Sequence, residues 1–170
     1  TKKKIDDAKK AVNETRRKLE NLREEGRETE EKTVAKKVRE KNWFEKYRWF
    51  KSSNGLLVIA GRDIKTNKEV VEKHMDSGDR YLHADIQGAP HTVIKGTGKE
   101  ITDEDTLEAA KFAAMHSSAW GEGLANVDVY WANPEQVTKE APSGEYVPKG
   151  GYMVKGNRTY LTVPLEAAVG

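Results

Sequence analysis

The chain has 170 residues, 30 Lys and Arg against 28 Asp and Glu, and no cysteine, which is enough for one domain of normal size with an appendage but not for two large ones. Lack of cysteine excludes disulfide frameworks, cysteine zinc ribbons and thiol catalysis and suits a reducing cytoplasm, so a cytoplasmic setting is expected. The net charge of +2 is unevenly spread: residues 1–46 carry 16 basic against 11 acidic side chains, so any phosphate contact in the remainder must come from local clusters.

No apolar run reaches the ~18 residues needed to cross a bilayer, and Thr1 is followed by lysines, so neither a membrane span nor a signal peptide is expected. A start at threonine suggests an excised fragment, or a chain that has lost its initiating methionine. From Ile5 onward, Ala8, Val12, Thr15, Leu19, Leu22, Gly26, Thr29 and Thr33 recur at alternating spacings of three and four, a heptad seam in an otherwise charged stretch. Residues 1–40 are expected to be one strand of a coiled coil whose mate lies elsewhere in a longer protein or in a second copy. The alternative is a solvated linker helix.

A globular domain is expected over 41–165, with a tail at 166–170. It opens on Trp43-Phe44-Glu45-Lys46-Tyr47-Arg48-Trp49-Phe50, which holds five of the 13 aromatic residues and is either a packing seam or a base-stacking surface. The seam reading puts Trp43, Trp49 and Trp120 in the core and leaves Lys46, Arg48 and Lys51 for solvent or nucleic acid. Asn54-Gly55 between two apolar runs predicts a β-hairpin. Thr66 and Glu69 predict a capping box for a helix ending near Met75. Strands follow at 81–85 and 92–95, the first alternating Tyr81, His83 and Asp85 against Leu82, Ala84 and Ile86.

Thr102 to Asp105 predicts a second helix start, with Leu107, Ala110, Ala114 and Ser117-Ser118 facing inward and an end near Trp120. Strands are expected at 127–132, 136–139, 152–155 and 159–163, the last two joined as a hairpin through Gly156-Asn157. The fold class is therefore α+β, a largely antiparallel sheet with two packed helices preceded by a long coiled-coil-type helix.

Chemistry-bearing patterns are sparse. His83, Asp85 and His91 could converge on a divalent cation and support a metal-dependent RNA-processing enzyme. Ser117-Ser118 lies in a helix without a G-x-S-x-G elbow, and Gly96-Thr97-Gly98-Lys99 lacks the first glycine of a phosphate loop. Lys46, Arg48 and Lys51, then Arg62 and Arg80, then Lys149, Lys155 and Arg158 are the basic clusters that could hold a nucleic-acid backbone, with exposed Tyr or Trp rings for unpaired bases.

The aromatic run with Ser52-Ser53-Asn54-Gly55, then Gly61-Arg62-Asp63, Gly78-Asp79-Arg80-Tyr81-Leu82-His83-Ala84-Asp85, Gly88-Ala89-Pro90, Ser117-Ser118-Ala119-Trp120 and Ala141-Pro142-Ser143-Gly144-Glu145-Tyr146 together resemble the NFACT-R domain. That is the RNA-binding module of the NFACT family, and the wording of the blocks suggests an archaeal member. The resemblance implies a noncatalytic part of a ribosome-associated quality-control factor that follows a coiled coil, needs no cofactor or metal, and has tRNA or ribosomal RNA and the stalled large ribosomal subunit as partners. It implies RNA contacts at Arg48, Arg62, Asp63, Asp79, Arg80, His83, Asp85, Lys149 and Lys155. Arginines would hold phosphate, and the three aspartates would orient them or brace turns. A structural coiled-coil adaptor remains the third alternative.

Overall fold

The computed structural model describes residues 2–35 and 40–166, in two compact units, 1–42 and 43–170. The first unit is helix α1 (Lys2–Ala35), 34 residues long. Its seam is open: Ile5, Val12, Leu19 and Leu22 are 50–66% exposed. Thr33 lies outside the side chains described.

The second unit opens with a 3-10 turn (Trp43–Lys46) and continues as β1 (Arg48–Lys51), β2 (Leu57–Ala60), α2 (Ile64–Lys73), β3 (Arg80–Ala84), β4 (Thr92–Ile94), α3 (Asp103–Met115), β5 (Asn126–Ala132), β6 (Val137–Thr138), β7 (Met153–Val154) and β8 (Thr159–Pro164). Six strands form one antiparallel sheet in the order β1-β2-β4-β3-β5-β8, and β6 and β7 form a second. The α+β class and the two packed helices are as expected.

Strand alternation builds two cores, one on each face of the sheet. Val58, Leu82, Ala84, Ile94, Val129 and Val163 pack with α3, while Ile59, Tyr81, Val93, Tyr130 and Ala132 pack with Val70 and Val71 of α2. α3 lies on the sheet through Ala109, Ala110, Ala113 and Ala114, all 0% exposed, so the inward face is alanine, and Leu107, expected there, is 41% exposed.

The first hairpin forms with Arg48 opposite Ala60 and Lys51 opposite Leu57, and Gly55 takes a φ of +79° that favours glycine. Asn54 does more than turn the chain. Its amide donates to Thr102 Oγ1 at 3.1 Å and to Asp105 Oδ2 at 3.2 Å, tying the hairpin loop to the start of α3. Burial opposes the Asp105 charge, yet bonds from Ser52, Thr102 and Asn54 hold its pKa at about 2.

Several expectations fail for definable reasons. α2 is capped by Asp63, whose carboxylate accepts from Thr66 N while Thr66 Oγ1 accepts from Asp63 N, so the box sits three residues before the one expected. Glu69 is thereby free to accept from Lys46 at 2.6 Å and from Tyr47 at 2.8 Å. That phenolic partner lets Tyr47 be the aromatic buried at 0% exposure, whereas Trp43, Trp49 and Trp120 are 48%, 38% and 46% exposed and lie outside the core. α3 stops at Met115 because the Ser117 hydroxyl donates to Ala114 O and accepts from Ala119 N, turning the chain into a 3-10 segment.

The last hairpin does not form. β7 pairs with β6, and β8 pairs with β5, because the Gln136 amide holds both Lys155 O and Asn157 O, at 2.8 and 2.7 Å, and thus ties the intended turn to the small sheet. Among the described residues no buried side-chain polar atom lacks a hydrogen-bond partner.

Candidate nucleic-acid interface

Arg48 begins β1, and Arg62 follows Gly61 directly after β2; because Arg48 lies opposite Ala60, the hairpin brings the two together. Arg48 Nη1 donates to Gly61 O at 2.7 Å, and Arg62 Nη2 donates to Tyr47 O at 3.1 Å, so each clasps the backbone beside the other. Gly61 is required: a Cβ there would stand 1.9 Å from Asn67 Oδ1. Burial, and then the neighbouring Arg62 charge, lower the Arg48 pKa. His116, the C-cap of α3, is lowered by burial and then by both arginines. Among the described residues no carboxylate lies within 4.0 Å of either guanidinium. Two partly solvated guanidinium groups, each with N–H donors to spare, form a local concentration of positive charge beside the His116 imidazole, which its lowered pKa keeps neutral at pH 7.

The other expected residues disperse. Asp63 is committed to the α2 cap, and hydrogen bonds from Thr66 lower its pKa. Asp79, 7% exposed, pairs with Lys95 and accepts from the backbone of Asp76 and Gly96, at 2.8 and 2.9 Å, so it braces the turn into β3. Arg80 lies on the α3 face, donating to Thr106 Oγ1 at 2.6 Å with its guanidinium 3.9 Å from the Trp131 ring centre. His83 lies on the opposite face of β3, and Asp85, one residue beyond the strand, is close enough for its charge to act on that ring. Lys149, beside the turn that precedes β7, lines an open groove of about 340 Å³ with Lys68 and Lys139, and Lys155 stands 3.4 Å from Glu140.

The histidines do not form a metal centre. His91 Nδ1 lies 2.6 Å from Tyr81 Oη and Nε2 lies 3.3 Å from Gly150 O, so both ring nitrogens have protein partners. Burial, then His83, push His91 to about 4, and burial lowers His83, so both rings are neutral at pH 7. Among the described residues no group of three or more His, Cys, Asp or Glu side chains is placed to hold a metal ion.

Strand register assembles a further group that the linear sequence hides. His83 lies opposite Tyr130, and Tyr130 opposite Tyr160, giving a row of three rings across β3, β5 and β8 with successive centroids 5.9 and 5.7 Å apart. The Arg158 guanidinium covers Tyr130 at 4.7 Å. Arg158 was visible as part of a basic cluster, but Tyr130 and Tyr160 acquire a common surface only through the β5–β8 pairing, which the expected hairpin displaced. His116 could have been found as the residue one turn after Phe112, whose ring it meets at 4.6 Å.

Residues 46–156 match the family described as NFACT protein RNA binding domain. Over 139 residues the chain is 48% identical to the archaeal Rqc2 homolog aRqcH of Methanocaldococcus jannaschii, covering 81% of this chain and 21% of that protein. Over 136 residues it is 38% identical to the ribosome quality control complex subunit NEMF of Homo sapiens, covering 79% of this chain and 12% of that protein. The chain thus spans about a fifth or less of the length of these curated relatives. The C-terminal region of the fibronectin/fibrinogen-binding protein from Streptococcus suis shares the fold, with a TM-score of 0.58 at 22% identity over 76% of this chain and 48% of that one.

Proposed function

The chain belongs to the NFACT family, and from that premise we propose that its globular unit is a noncatalytic RNA-binding module of a ribosome-associated quality-control factor. Its targets on this reading are tRNA or ribosomal RNA on stalled large subunits, in the cytoplasm. The family descriptions support RNA and ribosome quality control. The finer assignment rests on the Arg48 and Arg62 pair, brought together by the hairpin and with no carboxylate within 4.0 Å among the described residues.

In this reading Arg48 and Arg62 hold phosphate, with Arg80, Lys149 and Lys155 as further backbone contacts. Asp63 and Asp79 act through the turns that they brace, and His83 and Asp85 contribute from the opposite face. Domain boundaries at 1–40 and 41–165, with a tail at 166–170, follow, and α1 pairs along its open seam with a helix from a longer protein or a second copy. Sedimentation of the chain against a version lacking residues 1–38 tests that pairing; a monomer mass for the full chain, as for the shortened one, excludes a second copy.

Filter binding of tRNA and isolated large subunits across salt concentrations tests the module. Arg48→Gln with Arg62→Gln should leave the fold intact and reduce the slope of log affinity against log salt by about 1 to 2. An unchanged slope and affinity would remove this cluster from the interface.

A further inference from the structure

The ring row on the α2 side of the sheet has a chemistry unlike that of the arginine cluster. α2 packs on β2 and β4. At the β5–β8 end the face is open, with Tyr160 51% exposed and Asp85, Asp128 and Thr162 also exposed. One residue pair further along the strands from the row His83, Tyr130 and Tyr160 lies a second row. Asp85 N donates to Asp128 O at 2.7 Å, and Asp128 Oδ1 accepts from Thr162 Oγ1 at 2.6 Å. On the other side of the rings stands Arg158, with no carboxylate within 4.0 Å among the described residues.

Rings flanked by carboxylates on one side and a guanidinium on the other suit a flat, uncharged ligand with donors on its edge. Phosphate would be repelled by Asp85 and Asp128, and an aliphatic side chain would offer no donor to Asp85 or to the second oxygen of Asp128, whose first accepts from Thr162. A nucleobase matches all parts. Its face stacks on Tyr160, its ring N–H or amino groups donate to the carboxylates, and the phosphates that flank it lie towards Arg158.

We propose that Tyr160, backed by Tyr130 and flanked by Arg158 and Asp85, is a stacking subsite for one unpaired base of bound RNA. The subsite rests on the RNA-binding reading above and divides labour within it: the arginine cluster takes backbone charge, and the tyrosine row takes a base. It predicts a preference for RNA with an unpaired segment over a blunt duplex of the same length.

The test uses the whole chain and two probes, a single-stranded RNA oligonucleotide carrying 2-aminopurine and a blunt RNA duplex. Tyr160→Ala should weaken single-strand binding about 5- to 100-fold, the range expected for one stacked base, and leave both duplex affinity and the single-strand salt slope unchanged. Tyr160→Trp should restore single-strand binding and retain the quenching of 2-aminopurine. Wild-type binding with a steep salt slope, but equal affinity for both probes and no loss in Tyr160→Ala, overturns the subsite and leaves the RNA-binding reading standing. Absence of wild-type binding to either probe overturns both. A loss in Tyr160→Ala that extends equally to the duplex assigns Tyr160 a structural role and also overturns the subsite.

Discussion

Helices α1 and α3 both carry a stripe of small or apolar residues at helical spacing, yet they end in opposite environments. In α1 the stripe of Ile5, Val12, Leu19 and Leu22 is half to two-thirds exposed, while in α3 Ala109, Ala110, Ala113 and Ala114 are sealed against the sheet at 0% exposure. Periodicity marks the face that can be buried, and the presence of a partner surface decides whether it is. Alanine is the informative residue: a weak apolar signal proves the deeper contact because its small side chain admits the helix close to the sheet.

The sharpest way to break this comparison is to place the same charge on both stripes. Ala113→Asp, which buries a carboxylate without a partner, should cost about 3 to 5 kcal/mol in denaturant unfolding followed by tryptophan fluorescence. Ala8→Asp should move the same midpoint by less than about 0.5 kcal/mol; a large effect there would mean that the α1 stripe is covered.

Acid separates the two units less strongly. His91 has a folded pKa lowered by burial to about 4 from 6.5, so the unfolded chain takes up its proton first. Its contribution is fully present above about pH 6.5 and is lost as pH falls toward 4, by up to ~3 kcal/mol. The sequence before residue 43 contains no histidine. A stability curve of the second unit that is flat between pH 7 and 4.5 would contradict the buried, neutral imidazole, and His91→Gln should make it shallower, leaving the part due to the other lowered histidines.

The smallest effect concerns caps. Thr102→Ala removes the hydroxyl that accepts from Asp105 N at 3.2 Å and from the Asn54 amide, and should cost about 1 kcal/mol of unfolding free energy. α1 begins without an acidic residue in its first turn, and seam changes such as Leu22→Ser should lower helical circular dichroism without shifting that transition.

Local interactions made much of the sequence legible, although the Asp63–Thr66 cap of α2 and the Ser117 turn that ends α3, both local, were misplaced. Asn54-Gly55 marked the first hairpin, and Thr102 with Asp105 marked the start of α3, because both signals act within a few residues. It misled where a distant partner decided. Gly156-Asn157 has hairpin chemistry, but Gln136 holds the carbonyl groups on both sides of it and β8 completes β5 instead. Tryptophan outranks tyrosine in apolar bulk, yet Tyr47 took the core because Glu69 could receive its hydroxyl. For the candidate site, Arg48 and Arg62 could be named singly, and the hairpin register made them a pair. Tyr130 and Tyr160 had no sequence signal in common, since their adjacency exists only across a ladder closed by chain far downstream.

That late ladder has a consequence for synthesis. β5 ends at Ala132 and β8 starts at Thr159, so at translation rates of 5 to 20 residues per second β5 waits about 1 to 5 s with an unpaired edge. Val127, Val129, Tyr130 and Trp131 on that edge have the composition that recruits strands from other chains, and Asp128 in their midst places a charge where such a strand would dock. The aspartate that accepts from Thr162 in the finished fold is thus the single charged residue among the seven of the strand whose partner is the last to be made.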